Sequence, residues 1–402
     1  MPDSSPHRSP DTAPDPLAWL GDELANLEQR GLRRQLKQRR SPQTAAWEEG
    51  GRRVVNFSAN DYLGLAADPR LAEAALAATQ DGWGSGASPL VTGRSVWHAR
   101  LETRLAEFEG AEAALLFPTG FAAGMGVIPA LVGRGDAILA DAKNHACLID
   151  GCRLATAERH IYPHNDVDAL ASLLEACSSA RRRLIVTDGL FSMDGDLAPL
   201  DRIASLARRH DAMLLVDEAH ATGVLGLRGR GTLEHFGVDA PETAVIKTGT
   251  LSKAIGSLGG FACGSRELVD WLANRARSYV FSTAAPASVA AAGLAALEIV
   301  AGNPGLGGRL LAQADHLRSM LREAGFETGT STTQIVPVLV GDPERAVRWS
   351  QRLEESGLLV PAIRPPTVPP GESLLRVSVC LGHSEEDFNR LVAALHGVRD
   401  GG

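Results

Sequence analysis

Lysine is scarce in this chain. Only Lys37, Lys143, Lys247 and Lys253 occur, whereas lysine and arginine together number 40, so arginine carries most of the positive charge. The search for an amine able to form a Schiff base is therefore short, because such an amine must give up its proton, and arginine does not. Basic excess is missing as well. A net charge of -8 and a pI near 5.8 argue against a nucleic-acid partner held on a basic surface. No apolar run approaches the ~18 residues needed to span a bilayer. The first sixteen residues, rich in Pro, Ser and Asp, contain no apolar signal-peptide core, so residues 1–16 read as a disordered tail. The five cysteines, Cys147, Cys152, Cys177, Cys263 and Cys380, form no Cys-x-x-Cys pair and no metal-ligand spacing, which fits free thiols in a reducing, cytoplasmic compartment. Two nucleotide signatures are absent. There is no Gly-x-x-x-x-Gly-Lys-Ser/Thr, and Gly120-Phe-Ala-Ala-Gly124 lacks the Gly-x-Gly-x-x-Gly spacing.

What remains is a chain of 402 residues, 44% hydrophobic, with material for a large core and two domains. Leu17, Leu20, Leu24, Leu27 and Leu32 recur at helical spacing, predicting an amphipathic helix to about residue 40 with a basic end. That segment and the start of a short strand at 54–57 make up residues 17–55. From 56 to 287, apolar strands at 113–117, 137–140, 159–162, 184–187, 213–216, 244–248 and 260–263 alternate with helical segments such as 167–176 and 200–209. This pattern implies an α/β fold built on a mostly parallel seven-stranded sheet covered on both faces. Residues 288–402 read as a smaller α+β domain.

In parallel sheets ligands bind beyond the carboxyl ends of the strands, so the polar residues there carry the functional information. Thr119-Gly120-Phe121 opens a helix, where free amides and the helix dipole suit a phosphate. His145 follows another strand, in a position to stack on a ring, and Ser192 follows a third. Asp217-Glu-Ala-His220 ends the run 213–216, and Thr250-Leu-Ser-Lys253 follows the strand after it. A phosphate cradle, an aspartate for a pyridine nitrogen, a histidine and a lysine are what an enzyme needs to hold pyridoxal phosphate. A metal- or nucleotide-dependent site using Asp217 and His220 is the alternative from another class, and it lacks a second metal-spaced pair.

The runs Thr248-Gly-Thr-Leu-Ser-Lys253, Val216-Asp-Glu-Ala-His-Ala-Thr-Gly-Val224 and Gly189-Leu-Phe-Ser-Met-Asp-Gly-Asp196 resemble the α-oxoamine synthases, fold type I pyridoxal-phosphate enzymes. The likeness extends from about residue 17 to 397. It implies an acyltransferase that joins an amino acid to an acyl thioester with loss of carbon dioxide. Asn56-Phe-Ser-Ala-Asn-Asp-Tyr-Leu-Gly64 and Ala362-Ile-Arg-Pro-Pro-Thr-Val-Pro369 are most similar to the members that use L-alanine and a pimeloyl thioester, borne by coenzyme A or an acyl carrier protein, with glycine- or serine-using relatives as the alternative. By the same resemblance Lys253 carries the cofactor as a Schiff base and Asp217 meets the ring nitrogen. His145 covers the ring face, and Gly120, Phe121, Ser192, His220 and Thr250 surround the cofactor. Arg376 holds the amino-acid carboxylate, a task suited to a bidentate guanidinium. Arg33, His145 and Thr367 contact substrate, and the enzyme is a homodimer with active sites at the subunit interface. Two places depart from the family pattern: Pro89 in Gly86-Ala-Ser-Pro-Leu-Val-Thr-Gly93, and the ending Cys380-Leu-Gly-His383.

Overall fold

Short apolar runs rich in Val, Ile and Leu, each bounded by turn residues, pair most readily as buried strands. In the computed structural model, which describes residues 15–34, 36, 38–238 and 244–400, they do so. The tail through residue 14 and Lys37 lie outside the described residues. In chain order the strands are β1 (Ala46–Glu49), β2 (Arg52–Asn56), β3 (Ala113–Phe117), β4 (Ala137–Asp141), β5 (Glu158–Tyr162), β6 (Arg183–Asp188) and β7 (Met213–Asp217). They continue with β8 (Val245–Thr250), β9 (Gly260–Gly264), β10 (Ile335–Gly341), β11 (Leu358–Leu359), β12 (Ala362–Ile363) and β13 (Ser373–Ser378).

The central sheet has seven strands in the order β3-β9-β8-β7-β6-β4-β5. Only β9 runs against its neighbours, β3 and β8; the other pairings are parallel. Successive residues of one strand face opposite sides. Thus Leu184 and Val186 of β6 pack with Val127, Leu148 and Leu272, whereas Ile185 between them packs with Leu170, Leu174 and Ile203. Helices Gly120–Leu131, Ala146–Leu154 and Arg266–Arg275 supply the first set, and Val167–Ala176 and Leu200–Arg209 the second. Both faces of the central strands β4, β6 and β7 are therefore buried, whereas the edge strand β5, Glu158–Tyr162, is polar and largely exposed.

A third cluster joins helices Val96–Glu109, Ala287–Ala301 and Gly305–Glu323 to β10 and β13. In the C-terminal part β13 lies between β10 and β12, antiparallel to both. The last three-stranded sheet, β1-β2-β11, is built from distant sequence: β11 pairs in parallel with Val55 and Asn56 of β2. His383 secures this junction. Its Nδ1 accepts from the Cys380 amide at 3.1 Å, its Nε2 donates to the Asn56 carbonyl at 3.1 Å, and its ring stacks on Phe57. The departure at Cys380–His383 thus belongs to a structural latch. No single described helix is long and apolar enough to cross a membrane.

Contacts divide the chain at Ser41–Pro42. The N-terminal unit contains helix Trp19–Gln29, shorter than the helix expected to residue 40. Gly31 adopts φ +60, and the Arg30, Gly31 and Leu32 amides turn back onto Asn26, Glu28 and Leu27, closing the helix with a left-handed residue.

Candidate active site

Parallel register places the acidic ends of two strands side by side: Asp188 of β6 is the direct partner of Asp217 of β7, and Asp217 in turn faces Thr248 of β8. Both carboxylates are buried. Asp217 Oδ1 accepts from the Ala219 amide at 2.9 Å, and the one contact recorded for Oδ2 among the described residues is the Cys147 thiol at 3.8 Å. A buried carboxylate oxygen with so weak a donor is poised to take a stronger one. Burial, then the neighbouring Asp217, pushes the Asp188 carboxyl well above its ordinary range. Lys253, just past β8, answers this charge. Burial lowers its ammonium pKa, while Asp217 and Asp188 pull in the opposite direction.

The anion cradle lies where helix Gly120–Leu131 meets the end of β8. Thr119 caps the helix, its hydroxyl accepting from the Ala122 amide at 3.0 Å. The amides of Gly120 and Phe121, at the first two positions of the helix, have no acceptor among the described residues. A Cβ on Gly120 would lie 2.9 Å from Thr250 Cβ and 3.1 Å from its Oγ1, so only glycine lets the helix start approach the strand so closely. Thr250 Oγ1 and Ser252 Oγ, 2.7 Å apart, complete the cradle with hydroxyls.

His145 caps helix Ala146–Leu154, and its amide donates to Asp188 at 2.6 Å. Its Nδ1 accepts from the Cys147 amide at 3.3 Å and lies 3.0 Å from the Cys147 thiol. The amide can only donate, so Nδ1 is the acceptor and the neutral ring carries its proton on Nε2. Burial lowers the pKa of His145, and Asp217 only partly offsets this, so the ring stays neutral near pH 7. Phe121 meets the ring edge-on at 6.4 Å.

His220 is buried, its Nδ1 lies 2.6 Å from the Tyr62 hydroxyl, and burial followed by the charges of Lys253 and Arg376 holds its pKa well below the usual value. Arg376, buried on β13, ties these parts together. Its guanidinium donates to the Ser192 carbonyl, to Asn60 Oδ1 at 3.1 Å, to Ser378 Oγ at 2.9 Å and to the Tyr62 hydroxyl at 3.3 Å.

The fold thus brings together Gly120, Phe121, His145, Ser192, Asp217, His220, Thr250, Lys253 and Arg376. Thr367 lines an adjoining groove that also reaches Ser192. Arg33 belongs to the N-terminal unit, where it pairs with Glu28 at 3.0 Å. The sequence patterns do not single out Asp188, Asn60, Tyr62 or Cys147 for the site. Asp188 has a visible signal, a carboxylate directly after an apolar run. The others arrive from segments that only tertiary folding brings close. Among the described residues, the ligand-type atoms that converge are those of His164, Asp194 and Asp196, rather than Asp217 with His220. Both His164 nitrogens are already taken, by Asp141 and Asp196 at 3.0 Å each.

An unpartnered pair of amides beside two hydroxyls, a buried carboxylate lacking a strong donor and an amine with a lowered pKa fit pyridoxal phosphate. The sheet and these strand ends define a fold type I pyridoxal-phosphate enzyme, and residues 52–395 match the model of the aminotransferase class I and II family. A serine palmitoyltransferase from S. paucimobilis, solved with pyridoxal phosphate and myriocin, superposes with a TM-score of 0.88 at 30% identity over 96% of this chain and 98% of its own. The 8-amino-7-oxononanoate synthase of Symbiobacterium thermophilum is 48% identical over 94% of this chain and 97% of its own. That of Anaeromyxobacter sp. (strain Fw109-5) is 52% identical over 95% and 96%. With such identity over nearly the full length of both proteins, the chain belongs to the 8-amino-7-oxononanoate synthase family of acyltransferases.

Proposed function

We propose that the enzyme condenses L-alanine with a pimeloyl thioester, giving 8-amino-7-oxononanoate, carbon dioxide and the free carrier thiol, as a step of biotin synthesis. The observation that carries this reading is the convergence of His145, Asp217 and Lys253 at the carboxyl ends of β4, β7 and β8 with Arg376 on β13, in a chain so similar to enzymes of that name. Pyridoxal phosphate, when bound, supplies an electron sink for the carbanion at the amino acid's α-carbon. Gly120, Phe121, Thr250 and Ser252 would hold its phosphate, Asp217 Oδ2 would accept from its ring nitrogen, His145 would cover the ring, and His220 would serve the ring oxygen.

Each side chain then has a chemical task. Lys253 Nζ, its pKa lowered by burial, would be the covalent anchor for the cofactor and, as a free amine, the base that removes the α-proton. Arg376 holds the amino-acid carboxylate. The neutral His145 offers Nε2–H to a substrate oxygen without adding a charge. The α-carbon bonds to the thioester carbonyl, the thiolate leaves and takes up a proton, the carboxylate departs as carbon dioxide, and a proton returns to the α-carbon from Lys253. Thr367, which lines the adjoining groove, completes the substrate contacts.

The active form is a cytoplasmic homodimer. Supporting this, all five cysteines are free, and Trp83, Leu90, Val91, Leu258 and Phe281 are more than half exposed. Hydrogen bonds from Ser85 and Ala284 join the 85–93 and 281–285 segments to which several of these belong, as an apolar face for a second copy. The decisive assay supplies purified enzyme with alanine, glycine or serine and with pimeloyl thioesters of coenzyme A and of a carrier protein. Turnover of alanine, with carbon dioxide and thiol released in equal amounts, is expected. Preference for glycine or serine overturns the substrate assignment, and a Lys253→Ala variant that keeps both visible absorbance and turnover overturns the site.

A further inference from the structure

Beside the site lies a groove of about 490 Å³ between the 142–149 segment, the turn 191–194 and the proline-rich strap 365–370. It adjoins the reaction centre through Ser192, whose carbonyl is held by Arg376, and through Asn144, next to His145. Its walls are largely apolar: Ile149, Phe191, Met193, Val368 and the strap prolines. They suit a polymethylene or pantetheine chain better than a charged one. Against this background stands one cation. Of the residues lining the groove only Lys143 is positively charged, and its Nζ meets Asp194 Oδ2 at 3.0 Å.

That ion pair does not use up the ammonium, which has three donors, of which Asp194 takes one. Lys143 and Asp194 are each partly exposed, with side-chain exposures of 33% and 25%, so the remaining protons face the groove and solvent. Asp194 acts as a tether that keeps a flexible lysine at the groove's edge. The lysine's own backbone is fixed too, its amide donating to Asp141 at 2.8 Å. Among the described lysines the other two are committed elsewhere, Lys247 to Glu109 and Lys253 to the reaction centre.

We propose that Lys143 is a specificity-determining residue of the acyl-donor groove, receiving an anionic group carried by the donor. The inference rests on the acyl-transfer reading above. Two parts of such a donor have this chemistry: a carboxylate at the far end of a dicarboxylic acyl chain, and a phosphate on the carrier arm. Either would add a second ion contact to the tethered ammonium while its carbon chain covers the apolar wall.

The test crosses two donor features in the holoenzyme, with Lys143→Met as the variant. The acyl group is pimeloyl or uncharged heptanoyl, and the thiol is coenzyme A or phosphate-free N-acetylcysteamine. One partly exposed ion contact is expected to contribute a preference of roughly three- to tenfold in kcat/KM. The wild type should show that preference and Lys143→Met should lose it. If it disappears along the acyl axis, the carboxylate is the ligand; along the thiol axis, the phosphate. Asp194→Asn, which frees the ammonium, should strengthen the same preference, and added salt should weaken it in the wild type. Equal ratios in wild type and Lys143→Met on both axes overturn the proposal. Failure of the wild type to turn over any of the four donors instead refutes the underlying acyl-transfer reading. Heat-induced unfolding of both variants, followed in parallel, detects a folding defect, and Asp194→Asn moves the preference upward, which a misfolded protein cannot do.

Discussion

His164 gives the sharpest test of how the site's scaffold is held. Its Nδ1 and Nε2 each lie 3.0 Å from a carboxylate, Asp141 at the end of β4 and Asp196 after the 191–195 turn, and its ring meets Phe191 edge-on at 4.4 Å. Burial alone would depress its pKa, but the hydrogen bonds and charges of Asp141 and Asp196 outweigh burial and raise it to about 9. The imidazolium therefore staples the segment carrying His145 to the one carrying Ser192. A rise from 6.5 to about 9, at roughly 1.4 kcal/mol per unit, corresponds to ~3 kcal/mol, which solvent at the exposed ring edge screens to about 2 kcal/mol. Because the folded pKa is raised, this stabilisation is complete below about pH 6.5, declines as pH rises and is gone above about 9. His164→Gln keeps hydrogen bonding but cannot carry the charge. Urea unfolding of both proteins across pH 6 to about 9.5 should show a stability difference of about 2 kcal/mol at the acid end that shrinks steadily toward the alkaline end. A difference that stays constant with pH refutes a charged His164.

Gly120→Ala forces a Cβ to within 2.9 Å of Thr250, so the cradle must widen; an overpacking cost of about 1–3 kcal/mol should appear as a roughly tenfold or greater loss of pyridoxal-phosphate affinity in a titration of the apoenzyme. Arg376→Lys cannot rebuild four directed hydrogen bonds, and the KM for the amino acid should rise roughly ten- to a hundredfold with a smaller change in the KM for the acyl donor. Lys247 and Glu109 form a buried ion pair at 2.6 Å. Glu109→Gln alone should cost about 3–5 kcal/mol in urea unfolding, and the double variant with Lys247→Met should recover more than half of it.

Much of the fold is legible in the sequence because continuous apolar runs alternating with helices leave few alternatives to a parallel sheet covered on both faces. Helices Val167–Ala176 and Leu200–Arg209 fall where the apolar spacing predicts them. The strand ending at Thr250 runs two residues beyond the predicted boundary, since Thr250 still pairs with Gly260 of β9. The N-terminal helix is overestimated because spacing does not register the left-handed turn at Gly31. β11 and β12, two residues each, are too short for a pattern and owe their strand geometry to their partners β2 and β13.

The site divides in the same way. Lys253, Asp217, His145 and Gly120 are fixed by the chain itself, since each follows directly on a strand or opens a helix, and parallel strands all deliver their ends to one edge. The scarcity of lysine makes the key amine conspicuous in the sequence by itself. Tertiary structure alone decided the rest: that Asp188 would sit beside Asp217, that Cys147 would set the tautomer of His145, that Arg376 would be held by Asn60, Tyr62 and Ser192, and that Lys143 would stand at the edge of an apolar groove. These contacts depend on strand order and on closure between segments hundreds of residues apart. Local sequence carries periodicity and caps, but no record of which distant neighbour the hydrophobic core will bring into reach.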